Sequence, residues 1–343
     1  MVWKPTLTSL PLTLSPYSRN GLSKEVFVGY AKTSPKFKVY ISGDDLAKHA
    51  VIVGSTGSGK TTTAAHIATQ ASKQGRTLIL DWFGEYQNLL RRGKVFKPCR
   101  ESPIPLLVDD VVDLINIFEE VLQLTPAQSY IMLKALDGVI PANLSVLEDV
   151  IEGFEVEARW MLESKLALLR RLQDLSRGRN YISRDSKLVE TISKSEEPVI
   201  VDLSQLKDFN VKKLSVLLTL KAVEVSKMKH LLNDQVYVFV EEAHNVVNSN
   251  TDLVGRLMSE VRKLGIAIVL VTQSPLILNY RMLNNANVKV VHTLKSREDI
   301  ELIVKSLGLS EDLRAVIPKL GVGEAIVDAP GQEPVIVEVK PSL

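Results

Sequence analysis

A single cysteine, Cys99, excludes an intrachain disulfide framework, and five histidines at no metal-ligand spacing exclude a structural zinc site. No window approaches the roughly 18 to 20 apolar residues of a membrane span. The opening stretch "MVWKPTLTSLPLTLSP" lacks the basic-then-apolar order of a signal peptide. These absences predict a cytoplasmic, reducing environment. Charge of one sign is missing too: 42 basic against 40 acidic residues leave +2, so global charge argues neither for nor against nucleic acid. No internal repeat, low-complexity tract or N-K-x-D-like guanine motif appears. What is present is an ordinary globular composition, 45% hydrophobic and 24% charged, over 343 residues. That length suits two units or one large α/β domain carrying an insertion.

The texture divides the chain. Residues 1–23, rich in Thr, Ser, Pro and Leu without period, read as an extended arm. "EVFVGY" and "KFKVYI" are β-like runs at a hairpin-like edge. "HAVIVG" is a buried strand, followed by a Gly-rich turn, a helix closed at Gly75, and the strand "RTLILD". That order predicts a right-handed parallel crossover. Residues 102–197 have helical periodicity and almost no strand signal, with Thr125-Pro126 and Gln128 marking one helix start. Strand-helix alternation resumes at 198 and ends in a hairpin made of "GEAIVD" and "PVIVEV". The expectation is an α/β core of residues 24–101 and 198–343, with a central, mostly parallel sheet and a helical insertion at 102–197.

"GSTGSGKT", Gly54 to Thr61, matches G-x-x-x-x-G-K-[ST] and stands between a strand and a helix, as a phosphate-binding loop must. Backbone N–H groups of Gly54, Ser55, Thr56, Gly57, Ser58, Gly59 and the first helical residues Lys60, Thr61 and Thr62 can turn toward phosphate, aided by the helix N-terminus. Lys60 then holds the β and γ phosphates and the Thr61 hydroxyl ligates Mg²⁺, which makes ATP and Mg²⁺ the expected cofactors. "VYVFVEE" supplies the acidic half: Glu241 for the metal and Glu242 as the base for attacking water. The competing account is a solvated strand end that opens a helix. "IAIVLVTQS" ends in Thr272 and Gln273, the latter placed to sense a γ-phosphate or to begin an ordinary loop.

Arg256, Arg262 and Lys263 lie on or just past one helix, where cations favour the C-terminus for dipole reasons. Arg262 is also the candidate arginine for a neighbour's γ-phosphate in an oligomer. From Arg159 to Lys187 eight basic residues face three acidic ones, which reads as a solvated helix face or a DNA phosphate contact. "RRGKVFK" is a second such candidate. His244, after the acids, reads as a packing or hydrogen-bonding residue rather than a ligand.

Five ordered motifs, "GSTGSGKT", "DWFGEY", "VEEAHN", "SEVRKLGIAIVLVTQSP" and "LGVGEAIV", together resemble the HerA branch of the HerA/FtsK superfamily. The likeness covers about residues 24–100 and 198–339. It implies a RecA-like P-loop ATPase that assembles as a hexameric ring and moves double-stranded DNA, commonly with a NurA-type nuclease. It also implies roles for Lys60 and Thr61 at nucleotide and Mg²⁺, Glu241 at the metal, Glu242 as base, Gln273 as sensor and Arg262 in trans, with Asp81 and Glu85 as an acidic pair near the site. Three departures stand out. Too few residues precede the P-loop for the family's N-terminal β-barrel, so no such barrel is expected and NurA partnership is left open. "DPHGEY" has become "DWFGEY", and S-Q-R-P has become "TQSP", with Ser274 in place of the arginine, a contact Arg281 could supply. The same motifs also fit a conjugation or secretion ATPase, or a nucleotide-dependent switch that binds a partner without pumping.

Overall fold

Strands that are apolar on both faces must be covered on both faces, and four such runs set the centre of this molecule. The computed structural model describes residues 25–33, 35–176, 181–247, 253–278 and 280–341. The expected N-terminal arm lies outside them. The strands are β1 (Glu25–Ala31), β2 (Lys38–Ser42), β3 (Ala50–Val53), β4 (Arg76–Asp81), β5 (Lys94–Phe96), β6 (Ile104–Pro105) and β7 (Ile182–Ser183). They continue with β8 (Val199–Asp202), β9 (Val236–Val240), β10 (Ile266–Thr272), β11 (Val288–Val291), β12 (Glu324–Asp328) and β13 (Val335–Val339).

Eleven of them form one sheet in the order β2-β1-β13-β12-β11-β3-β10-β9-β4-β8-β5. From β11 to β5 every pair is parallel, and the four strands beyond β11 are antiparallel. Every residue of β3, β8, β9 and β10 is buried. The side chains of β3, β4, β9 and β10 alternate between two cores. Val51, Val53, Leu78, Leu80, Val238, Val240 and Leu270 face one way, and Ile52, Ile79, Phe239, Val269 and Val271 the other.

The helix Lys60–Ala71 lies on the second face through Ala64, Ala65, Ile67 and Ala68, small side chains that allow close approach. On the first face sit the helices Phe209–Met228 and Leu253–Val261, together with the insertion, whose apolar side chains continue that core.

The insertion contains the helices Val111–Leu122, Pro126–Leu136, Leu144–Gly153, Arg159–Ser176 and Leu188–Lys194. Thr125 and Gln128 form the expected capping box, with Pro126 opening the helix. Three short strands carry no readable pattern. β6 and β7 pair in parallel, and β5, inside the basic "RRGKVFK", extends the main sheet beside β8.

Cations of the basic segment close helix ends. Lys165 Nζ donates to the Glu152 and Phe154 carbonyls at 2.6 and 2.7 Å, and Arg171 donates to those of Leu122 and Gln123 at 2.6 and 3.2 Å. These are carbonyls that a helix C-terminus leaves without internal partners. A buried ion pair, Lys213 to Glu120 at 2.8 Å, ties the insertion to the helix Phe209–Met228. No helix among the described residues is long and apolar enough to cross a membrane.

Candidate active site

The chain leaves β3 for β4 on one side and leaves β10 for β11 on the other, so the sheet's crevice opens at the carboxyl ends of β3 and β10. The P-loop fills that edge. Its glycines are required by shape. A Cβ on Gly54 would come within 2.5 Å of His292 Cβ, and Gly59 begins the following helix at φ 104°, a conformation side chains disfavour. The loop is tied down from three directions: the Gly54 N–H donates to the Thr272 carbonyl at 3.3 Å, that of Ser55 to Thr293 at 2.7 Å, and that of Gly323 to Ser58 at 3.0 Å. Beneath it the buried His292 is held neutral by desolvation, its pKa lowered to about 4.

Lys60 is buried and donates to the Ser55 carbonyl at 3.1 Å. Burial lowers its pKa, opposed by the charges of Glu242, Glu241 and Glu85. The Thr61 hydroxyl donates to Glu241 Oε1 at 3.2 Å, which joins the two ligands expected for a metal. Thr62 is half-buried on the same helical turn. Thr56 is exposed and its hydroxyl donates to Gln273 Oε1 at 2.8 Å, so the expected sensor already touches the P-loop.

Glu241, the residue after β9, is almost fully buried. Burial pushes its pKa up to about 7; the Glu242 charge adds to this, while the hydrogen bonds from Tyr86 and Thr61 oppose it. Tyr86 was not singled out by the sequence motifs, yet its hydroxyl donates to Glu241 Oε2 at 2.5 Å. Asp81 explains how it gets there. The fully buried Asp81 carboxylate accepts from the backbone N–H groups of Phe83, Gly84 and Tyr86 at 3.3, 2.8 and 2.9 Å, and so folds the turn that presents the tyrosine. Glu85 is exposed on this turn, facing Lys60 electrostatically. "DWFGEY" thus reaches the site through its tyrosine, a link no local pattern could reveal across 155 positions.

Glu242 adopts φ 50°, ψ 47°, the left-handed region, which costs a non-glycine residue roughly 1 kcal/mol or more. Its Oε2 lies 3.1 Å from His244 Nδ1. Arg262 stands apart. It is exposed in the turn Arg262–Leu264 at the amino end of β10, a strand about 22 Å long, so it does not meet the P-loop of its own chain.

Among the described residues no three His, Cys, Asp or Glu side chains form a metal cluster. The hydroxyl-plus-carboxylate pair of Thr61 and Glu241 is nevertheless a hard-oxygen set of the kind that holds Mg²⁺ when phosphates complete the shell.

Several solved structures share the fold. VirB4 of Thermoanaerobacter pseudethanolicus superposes with a TM-score of 0.71 at 17% identity, covering 94% of this chain and 97% of that one. The bacterial conjugative coupling protein TrwB gives 0.65 at 13% identity, covering 89% and 88%. In sequence, the DNA double-strand break repair helicase HerA of Sulfurisphaera tokodaii is 24% identical over 328 residues, covering 84% of this chain and 64% of the relative. That of Sulfolobus acidocaldarius is 26% identical over 318 residues, again covering 84% and 64%. The chain therefore spans just under two thirds of the length of these relatives. Residues 26–223, more than half of the chain, match the family described as Helicase HerA, central domain, and to that family the chain belongs.

Proposed function

We propose that the chain is an ATP hydrolase that works in a ring, a hexamer by resemblance, to move double-stranded DNA. The observation that carries the hydrolytic reading is the pair at the end of β9. Glu241 is joined to Thr61 beside the P-loop, and Glu242 stands next to it with a carboxylate free of that bond. Phosphate would replace the Ser55 carbonyl as partner of Lys60. Water attacks Pγ, the bond from Pγ to the β–γ bridging oxygen breaks, and Glu242 takes the water proton while Lys60 neutralises charge on the phosphates. Mg²⁺, held by Thr61 and Glu241, would supply further neutralisation of the phosphate oxygens. Asp81 shapes the 81–86 turn, and Glu85 completes the acidic face opposite Lys60.

Arg262 acts only from a neighbouring chain in this reading, because its own P-loop is a strand length away. DNA is the moved substrate by the names of the HerA relatives; VirB4 and TrwB share the fold at identities too low to decide between substrates. A NurA-type nuclease is the partner that the family likeness brings with it.

The test is ATPase rate with and without double-stranded DNA at low salt, alongside light scattering for the ring. A DNA-stimulated rate from a ring is expected, whereas an unstimulated rate from a monomer rejects the motor. Glu242→Gln should bind ATP and lose at least ~10²-fold in turnover. Mixing Arg262→Ala with Lys60→Ala chains should recover activity only when the arginine crosses between subunits.

A further inference from the structure

β10 lies between β3, which leads into the P-loop, and β9, which leads into the two glutamates. Its carboxyl end touches both neighbours. Toward the P-loop, Gln273 accepts from Thr56 at 2.8 Å, and the Thr272 carbonyl accepts from the Gly54 N–H at 3.3 Å. Toward β9, the buried Thr272 hydroxyl lies 3.3 Å from His244 Nδ1, the same ring nitrogen that stands 3.1 Å from Glu242 Oε2. Thr272 Oγ1 also accepts from the Ser274 N–H at 3.2 Å, which fixes it at the strand end.

We propose that His244 is a positioning residue for Glu242, and that Thr272 and His244 transmit the state of the P-loop to that carboxylate. The proposal rests on the hydrolytic reading of Glu242. The Glu242 backbone is fixed in the left-handed region, so the freedom left to its carboxylate is in the side-chain torsions, and His244 Nδ1 is the group beside Oε2. One ring nitrogen offers a single in-plane hydrogen bond at a time. Thr272 and Glu242 therefore compete for it. With Nδ1 turned to Glu242 the carboxylate is held in the orientation that meets the attacking water. With Nδ1 engaged by Thr272 that hold is lost. When Gln273 gives up the Thr56 hydroxyl and donates its side-chain amide N–H to a phosphate oxygen, the end of β10 shifts and the competition is re-decided, so hydrolysis is tied to a filled P-loop.

The experiment compares steady-state ATPase kinetics and binding of a fluorescent ATP analogue for the full chain and its variants. His244→Ala should lower kcat about tenfold or more while leaving KM and analogue affinity unchanged. His244→Asn places an amide where Nδ1 sits and should restore most of kcat, whereas His244→Gln, which reaches the Nε2 position, should not. Thr272→Val keeps the shape, removes the competing hydroxyl, and should raise kcat, with the His244→Ala/Thr272→Val double variant no different from His244→Ala alone. Wild-type kcat in His244→Ala, equal loss in the Asn and Gln variants, a lowered kcat in Thr272→Val, or a double variant that differs from His244→Ala would overturn the proposal. Should His244→Ala not fold, the Asn and Gln pair decides. If instead the unmodified chain hydrolyses no ATP, or Glu242→Gln turns over normally, the hydrolytic reading fails, and the relay with it.

Discussion

The carboxyl edge of the sheet and the helical insertion both carry many charged groups, but they use them in opposite ways. In and against the insertion, cations are engaged by the fold itself: Lys165 and Arg171 close helix ends, while from the helix Phe209–Met228 Lys213 neutralises Glu120 and Lys221 sits 2.8 Å from both Asp113 and Glu224. At the edge, Lys60 is held only by a loop carbonyl, Glu241 is desolvated toward neutrality, and Glu242 occupies a strained backbone. Charges consumed by architecture mark a scaffold. Charges kept buried, adjustable and strained mark a place prepared for a ligand.

The largest effect that could break this contrast is on stability. Glu120→Ala should leave Lys213 charged and buried and cost about 3–5 kcal/mol in chemical denaturation, with nucleotide affinity of the folded fraction unchanged. A mild loss would mean the insertion's pair is not architectural. Next comes pH. Glu241 must be ionised to hold a metal, and its pKa is raised to about 7, so Mg²⁺-supported nucleotide affinity should weaken as pH falls through about 7. Tyr86→Phe removes a hydrogen bond that lowers this pKa and should move the midpoint upward, as read by Mg²⁺ titration at a series of pH values. For stability the sign is reversed. A carboxyl whose folded pKa is raised destabilises the metal-free fold as pH rises from its ordinary value toward 7.

Smaller effects sharpen the same comparison. Lys165→Ala and Arg171→Ala should each cost about 1 kcal/mol of thermal stability while leaving DNA affinity at low salt unchanged. A drop in DNA affinity with stability intact would return the basic segment to nucleic acid. Smallest of all, Glu242→Gly should relieve the left-handed backbone and gain up to ~1 kcal/mol in melting experiments while abolishing turnover, stability and activity moving in opposite directions.

Much of this was legible in the sequence, and the reasons are physical. The P-loop and the runs of β3, β9 and β10 were readable because a strand covered on both faces is apolar at every position. The antiparallel hairpins of β1 with β2 and β12 with β13 showed in their flanking turns. β5 was not legible, being three residues of an edge strand set among cations. β6 and β7, at two residues each, are shorter than any periodicity. At the site, the local motif gave Lys60, Thr61 and the glutamates, whereas the contacts of Tyr86, His244 and Gly323 depend on how distant segments stack at one sheet edge. Asp81 shows the limit well. The resemblance led to the expectation of a place near the nucleotide, but only the fold revealed that its partners are backbone amides.

The Gly323 N–H that holds the Ser58 carbonyl belongs to the turn entering β12, and β12, β13 and β1 are zipped side by side. The two outermost stretches of described chain thus form a brace bolted onto the phosphate loop. Tension, trimming or a bulky fusion on the last strand would reach Ser58 through this brace, so catalysis can be tuned by a handle that never enters the crevice.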